Sequence, residues 1–155
     1  MKLGIIAIGK AKRGPEQELI KSWTKRLPSF DRIVELESAL PAGPKRKQDE
    51  SDKILDWLNR HHAGKSHLIG LDPKGQDLSS EELAVLISQW RDQGIAHCYF
   101  AIGGADGHDK HLIEQSQKVI SFGRATWPHM LCRVMLAEQI YRAEMILSGH
   151  PYHRA

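Results

Sequence analysis

Short apolar runs alternate along the chain with segments in which apolar residues recur every three or four positions. The runs are LGIIAI (Leu3 to Ile8), RIVEL (Arg32 to Leu36), HLIGL (His67 to Leu71), AHCYFAI (Ala96 to Ile102) and a weaker KVISF (Lys118 to Phe122). Runs this short predict strands. Between them, Glu16 to Arg26, Asp52 to His62, Ser80 to Gln93 and Lys110 to Gln117 carry the helical spacing. Strand and helix alternate, so the pattern predicts an α/β fold with a mostly parallel sheet flanked by helices.

Local signals fix several ends. Ser79 with Glu82 three residues on forms a capping box, and Leu83, Leu86, Ile87 and Trp90 follow on one helix face. Pro128 opens the longest periodic segment, which carries Leu131, Val134, Met135, Ile140, Tyr141, Met145 and Ile146 and stops at Ser148 and Gly149 before Pro151. Its apolar residues cover more than one narrow stripe, enough for a core and a partner subunit. PAGPKRKQDE (Pro41 to Glu50) reads as a loop. With no repeat, low-complexity tract or long linker, residues 1–155 are expected to form a single domain.

Composition narrows the class. Hydrophobic residues make up 41% and charged residues 26% of the 155, ordinary usage for a folded chain. The apolar run near the start is too short for a signal peptide, and no stretch approaches a bilayer span. A cytoplasmic location without a membrane partner is therefore expected. Cys98 and Cys132 stand apart in apolar contexts, which suits reduced core thiols. Net charge is only +3, but it is locally concentrated in Lys10, Lys12 and Arg13 and in PKRK (Pro44 to Lys47). Each cluster follows a predicted strand, as a solvated loop or as a contact for a polyanion.

Three loops punctuated by glycine or proline follow strands: GLDPKG (Gly70 to Gly75), AIGGADGHD (Ala101 to Asp109) and SFGRATWPH (Ser121 to His129). Ligands of open α/β sheets bind at the carboxyl ends of strands, where glycine lets backbone come close. The spacing matches neither a dinucleotide fingerprint nor a P-loop, and no motif supplies a serine, cysteine or zinc centre. The spacing leaves tight turns and ligand-binding loops as alternatives. His61–His62, His108–His111 and His150–His153 are the pairs a metal would need, but no recognised ligand motif surrounds them, so no metal is expected. Glu138 and Arg142, at i and i+4, read as an ordinary helical ion pair. The terminal SGHPYHRA (Ser148 to Ala155) is chemically rich for a chain end.

IAIGK near the start, GLD after the third strand, IGGADG after the fourth and above all WPHMLCRVMLAEQIYRAEMILSGHPYHR to the end resemble the ribosomal RNA large subunit methyltransferase H (RlmH) family. These are small SPOUT-class methyltransferases that use S-adenosylmethionine. The resemblance runs over essentially the whole chain and implies a C-terminal trefoil knot, an exception to the general absence of knots, and a homodimer. It implies methylation of N3 of the pseudouridine at position 1915, in helix 69 of 23S rRNA on assembled ribosomes, with no DNA partner. By motif, cofactor contacts fall on Leu71, Gly103, Phe122, Gly123, Arg124, Ala125, Thr126 and Trp127. The chain departs from the family at Ala105–Asp106, Trp127 and Met130, which bear on the shape of that pocket.

The nucleophile so implied is an imide nitrogen that carries a proton at neutral pH, so a base or a water path must remove it. Tyr152, His153 and Arg154, with Glu138 and Arg142 one helix away, form the expected catalytic set. In this reading the tail folds over the cofactor site, His153 or Glu138 aids deprotonation, and Arg142 and Arg154 hold the RNA. Two other classes fit the same sequence less well: a ribosome- or RNA-binding protein of this fold without catalysis, and a metal-dependent phosphodiesterase built on the histidine pairs.

Overall fold

The computed structural model describes residues 1–64 and 66–153. Five strands, β1 (Lys2–Ile8), β2 (Phe30–Leu36), β3 (Ser66–Asp77), β4 (His97–Ile102) and β5 (Lys118–Ser121), alternate with α1 (Pro15–Thr24), α2 (Pro44–His62), α3 (Ser80–Asp92), α4 (Lys110–Gln115) and α5 (His129–Leu147). The strands form one sheet in the order β2-β1-β4-β3-β5, every neighbouring pair parallel. The α/β parallel sheet expected from the alternation is therefore the architecture observed.

Both faces are covered, which is why the strands read as continuous apolar runs. Alternate residues face opposite ways. Leu3, Ile5, Ile69, Cys98 and Phe100 join a core with residues of α1, α3 and α5. Ile6, Ile8, Leu68, Tyr99 and Ala101 meet Ile54, Leu55 and Leu58 of α2 and Leu112 of α4. Cys98 is buried and Cys132 half-buried, both free thiols.

Two expectations change. The basic stretch read as a loop starts a helix, because Pro44 stands at the first turn of α2, where its fixed φ and missing N–H suit a helix start. The stretch escaped notice because its buried residues nearest that start are Glu50 and Ser51, not apolar ones. The GLDPKG turn is an interruption within a longer β3. Leu71 and Gln76 both pair with Ile120 of β5, so the intervening residues bulge out before pairing resumes. Gly75 is required there: a Cβ at this position would stand 2.5 Å from the Ile120 carbonyl carbon.

Helix α5 is fixed to the sheet by one buried cation. Arg133 is 1% exposed. Its Nη2 donates to the carbonyl of Gly9 at 2.5 Å and of Ile8 at 3.3 Å, and its Nη1 donates to Glu35. Glu35 also accepts from the backbone N–H of Ala11 at 2.7 Å. One guanidinium thus satisfies the carbonyls at the carboxyl end of β1 and ties them to the Glu35 carboxylate of β2. Replacing Arg133 by leucine should cost about 3–5 kcal/mol of stability in urea unfolding, the scale for removing one partner of a buried ion pair.

The loop between β4 and α4 is held from beneath by His108. This side chain is 4% exposed, and its Nε2–H donates to the Ala101 carbonyl at 3.1 Å. Burial is the main cause that pushes its pKa down, and burial likewise lowers His62, His67 and His129. Such groups take up protons less readily in the fold than in the unfolded chain, which charges below about pH 6.5. Stability is then fully present above that value and falls as pH drops through it. The urea midpoint should therefore be lower at about pH 5 than at about pH 7, and His108→Gln should make that fall shallower.

Candidate active site

The strand order sets β4, β3 and β5 side by side, and the loops leaving their carboxyl ends lie next to one another. Leu71 pairs with Ile102 on one side and Ile120 on the other. Gly103 follows Ile102, so the residues picked from the first two loops are neighbours across one strand spacing, about 5 Å. The loop from Gly103 to Gly107 is tight. A Cβ on Gly103 would meet the Gly107 carbonyl carbon at 2.8 Å, and Gly107 has φ +73. Gly104 faces the Glu50 carboxylate, and the N–H of Asp109 donates to Ser51 Oγ at 2.8 Å, so α2 supports this loop.

The third loop carries the remaining residues picked for the cofactor. Ser121 Oγ donates to the Gly123 carbonyl at 2.9 Å, and Gly123 takes φ +84 to turn the chain. Trp127 Nε1 donates back to the Phe122 carbonyl at 3.1 Å, closing the loop on itself. Phe122 is half-buried against the core, whereas Arg124, Ala125, Thr126 and Trp127 are exposed. His129 lies against the Gly103 backbone, linking this loop to the second. Backbone groups and the apolar surface of Phe122 suit an organic ligand better than a metal.

The terminal segment folds back. Gly149, at φ +66, ends α5 and reverses the chain. Tyr152 then donates its hydroxyl to Glu138 Oε1 at 2.9 Å, and its ring meets Tyr141 edge-on at 4.9 Å and Trp23 at 5.7 Å. Arg142 donates to the same Oε1 through Nε at 3.0 Å and Nη2 at 2.5 Å, with its guanidinium 4.9 Å from the Tyr152 ring centre. Gln139 donates to the other carboxylate oxygen at 2.8 Å and accepts from Ser80 Oγ at 2.7 Å. His153 Nε2 donates to Glu81 at 2.7 Å, and Arg142 Nη1 stands 3.4 Å from its Nδ1.

Thus Glu138, Arg142, Tyr152 and His153 form one hydrogen-bonded cluster, while Arg154 lies outside the described residues. Sequence spacing alone would have missed Gln139, Ser80 and Glu81. Glu81 looks like a helix-start acid, and only chain reversal brings His153 to it. The helix-start bond to its own backbone N–H, then His153, hold the exposed Glu81 carboxyl at about 2, so it is anionic at neutral pH. Burial and then the bond to Glu138 push Tyr152 above the usual phenol value, and the Glu138 bond raises Arg142. Tyr152 remains a donor and Arg142 a cation.

One cleft joins the two parts. Phe122 from the third loop, Leu78 and Ser79 before α3, and Met135 and Glu138 from α5 line a groove of about 530 Å³ that Trp23 closes from α1. The histidine pairs make other contacts: His61 Nδ1 donates to the Trp57 carbonyl at 2.7 Å, His111 accepts from Gln115 at 2.8 Å, and His150 accepts from the Tyr152 N–H at 3.1 Å.

Comparison with known proteins gives this geometry its context. Residues 1–153 match the family described as "Predicted SPOUT methyltransferase". The ribosomal RNA large subunit methyltransferase H of Paramagnetospirillum magneticum is 45% identical over 155 residues, covering 99% of each chain. The proteins of that name from Mesorhizobium japonicum and Bradyrhizobium diazoefficiens are 44% and 41% identical, each matched over the full length of both chains. A family match of that extent, on an all-parallel sheet flanked by helices, places this chain in the SPOUT methyltransferase family.

Proposed function

We propose that this protein transfers a methyl group from S-adenosylmethionine to ribosomal RNA, at N3 of a pseudouridine in helix 69 of 23S rRNA on the assembled ribosome, and works as a homodimer. The observation that carries the reading is the shared groove. Phe122, from the loops that suit a cofactor, and Glu138, from the polar cluster of the tail, line the same cleft. Relatives named for large-subunit rRNA methylation supply the substrate class. The trefoil knot implied by the resemblance belongs to this reading. It is supported by the chain's path, which adds β5 at the sheet edge beside β3 and then carries α5 to the α1 and α3 face.

Leu71, Gly103 and Phe122 to Trp127 would hold the cofactor, which supplies an electrophilic methyl on a sulfonium centre. Gly103 lets the second loop close tightly on Gly107, and Gly123 turns the third at φ +84, so backbone shapes both loops. The protein's own part is orientation and the removal of one proton, and alignment of the reacting centres is worth on the order of 7–11 kcal/mol. Glu138 is not a bare base in this arrangement. Both its oxygens accept hydrogen bonds, from Arg142 and Tyr152 on one side and Gln139 on the other. It holds the tail, so we assign Glu138 the role of positioning residue and leave proton acceptance to His153, whose Nδ1 has only the long contact from Arg142. Arg142 is a fixed cation available to RNA, and Arg154, next to His153 in sequence, would add a second.

Ribosomes from cells lacking the modification provide the assay. Wild-type protein should transfer one methyl to helix 69, located by mass spectrometry, and much more slowly to naked 23S rRNA. Deleting the last four residues should abolish transfer; full activity would overturn the assignment of the tail. Glu138→Ala, which releases the tail that presents His153, should reduce kcat by about 10²-fold, the scale for misplacing a reacting group by about 1 Å, while cofactor binding persists. Cofactor binding separates catalysis from passive ribosome binding. S-adenosylmethionine at about 100 times its dissociation constant should add ~2.7 kcal/mol of stability in a thermal shift, and no shift would favour the non-catalytic reading.

A further inference from the structure

Six cations crowd one part of the sheet's carboxyl edge. Lys10, Lys12 and Arg13 follow β1, and Lys45, Arg46 and Lys47 stand in the first turn of α2. The two segments meet, since Gly9 and Arg46 line one cleft of about 380 Å³. Two of the six are neutralised: Lys10 lies 3.1 Å from Glu37 and Arg46 2.8 Å from Glu50. Lys12, Arg13, Lys45 and Lys47 make no ion pair among the described residues. Lys12, Arg13 and Lys45 are exposed and Lys47 is half-buried.

Folding gives no reason for this grouping. Cations in the first turn of α2 oppose the helix dipole, and no acid in that turn offsets them. Local rules broken in this way are expected where function demands it. Position supplies the demand. In the order β2-β1-β4-β3-β5, these segments adjoin the loop from Gly103 to Asp109. Glu50 and Ser51, on the next turn of α2 after Lys47, touch that loop. The cations therefore continue the carboxyl edge outward from the candidate cofactor loops.

The occupant is a phosphodiester backbone rather than a membrane. Residues 9–14 and 43–47 contain no Trp, Phe, Leu or Ile that could enter a bilayer. Unpaired lysine and arginine spread over two segments suit successive phosphodiesters, which need charge along a path and not a single pocket.

We propose that Lys12, Arg13, Lys45 and Lys47 form a phosphate-binding strip that holds the RNA backbone flanking the target nucleotide, on the protomer whose own loops form the cofactor site. This inference rests on the rRNA reading above and assigns that substrate its docking surface.

The test compares two variants of equal charge. One carries Lys12→Gln, Arg13→Gln, Lys45→Gln and Lys47→Gln. The control carries Lys2→Gln, Lys21→Gln, Lys25→Gln and Arg60→Gln, at the start of β1 and the far ends of α1 and α2. Binding to ribosomes is measured across a range of KCl concentrations, alongside methyl-transfer kinetics and the thermal shift with S-adenosylmethionine. The strip variant should lose roughly 3–4 from the slope of log affinity against log salt, about one per phosphate contact. Its KM for ribosomes should rise by about tenfold or more, with kcat and the thermal shift unchanged, and the control should match wild type.

Equal weakening of both variants would reduce the effect to net charge and overturn the proposal, as would an unchanged slope. Wild-type binding to phosphatidylserine vesicles that the strip variant loses, with ribosome binding intact, would assign the strip to a membrane and also overturn it. Absence of methyl transfer by the wild type would instead overturn the catalytic reading, while the ribosome-binding arm would still decide the strip.

Discussion

The carboxyl edge of this sheet depends on one buried guanidinium. Carbonyls at the ends of parallel strands have no further ladder partner, and leaving them buried and unpaired is costly. Arg133 satisfies those of Ile8 and Gly9 and draws Glu35 in as counter-charge. Because Arg133 lies in the second turn of a 19-residue helix, fixing it fixes both ends of α5. Upstream, it sets where the loop from Phe122 to Pro128 must finish. Downstream, it sets the faces on which Glu138 and Arg142 meet the returning tail. A single cation in the core thereby ties two distant halves of the candidate site to the end of the sheet.

The strands were legible because a parallel sheet buried on both faces leaves an uninterrupted apolar signature, and α3 because Ser79 and Glu82 cap each other as their spacing indicates. The start of α2 was not. Helical periodicity is read from apolar positions, and the buried residues nearest that start are Glu50 and Ser51, which serve the loop from Gly103 to Asp109. The extension of β3 was hidden for a related reason. Asp72, Pro73 and Gly75 are turn residues by composition, yet here they form a bulge between two stretches that pair with the same strand. In both places a polar segment is ordered by a tertiary neighbour that no local pattern reveals.

The site divides along the same line. Its glycine loops were picked from sequence because glycine after a strand has few uses besides turning or close approach. Gly123 does the first at φ +84, and Gly103 and Gly75 do the second against Gly107 and Ile120. The polar cluster could not be read that way. Glu138 and Arg142 have the spacing of any surface ion pair, and only the reversal at Gly149 turns them into a platform for Tyr152 and His153. Loops built from backbone tolerate exposed residues such as Arg124 and Thr126, whereas the side-chain cluster loses a bond with each member removed.

The cluster's closure bears directly on the proton that the proposed reaction must move. Within it, donors and acceptors nearly balance: Glu138 receives from Arg142, Tyr152 and Gln139, and His153 gives to Glu81 while facing Arg142. A network so complete holds its geometry well but leaves little basic capacity. The weakest link is the 3.4 Å approach of Arg142 to His153 Nδ1, against 2.5 Å from the same guanidinium to Glu138. A substrate phosphate or carbonyl that drew the Arg142 Nη1 donor away would free His153 Nδ1 and leave the Glu138 bonds intact. On the proposed reading, arrival of the RNA would itself expose the base, and the tail would accept a proton only when something is bound to supply it.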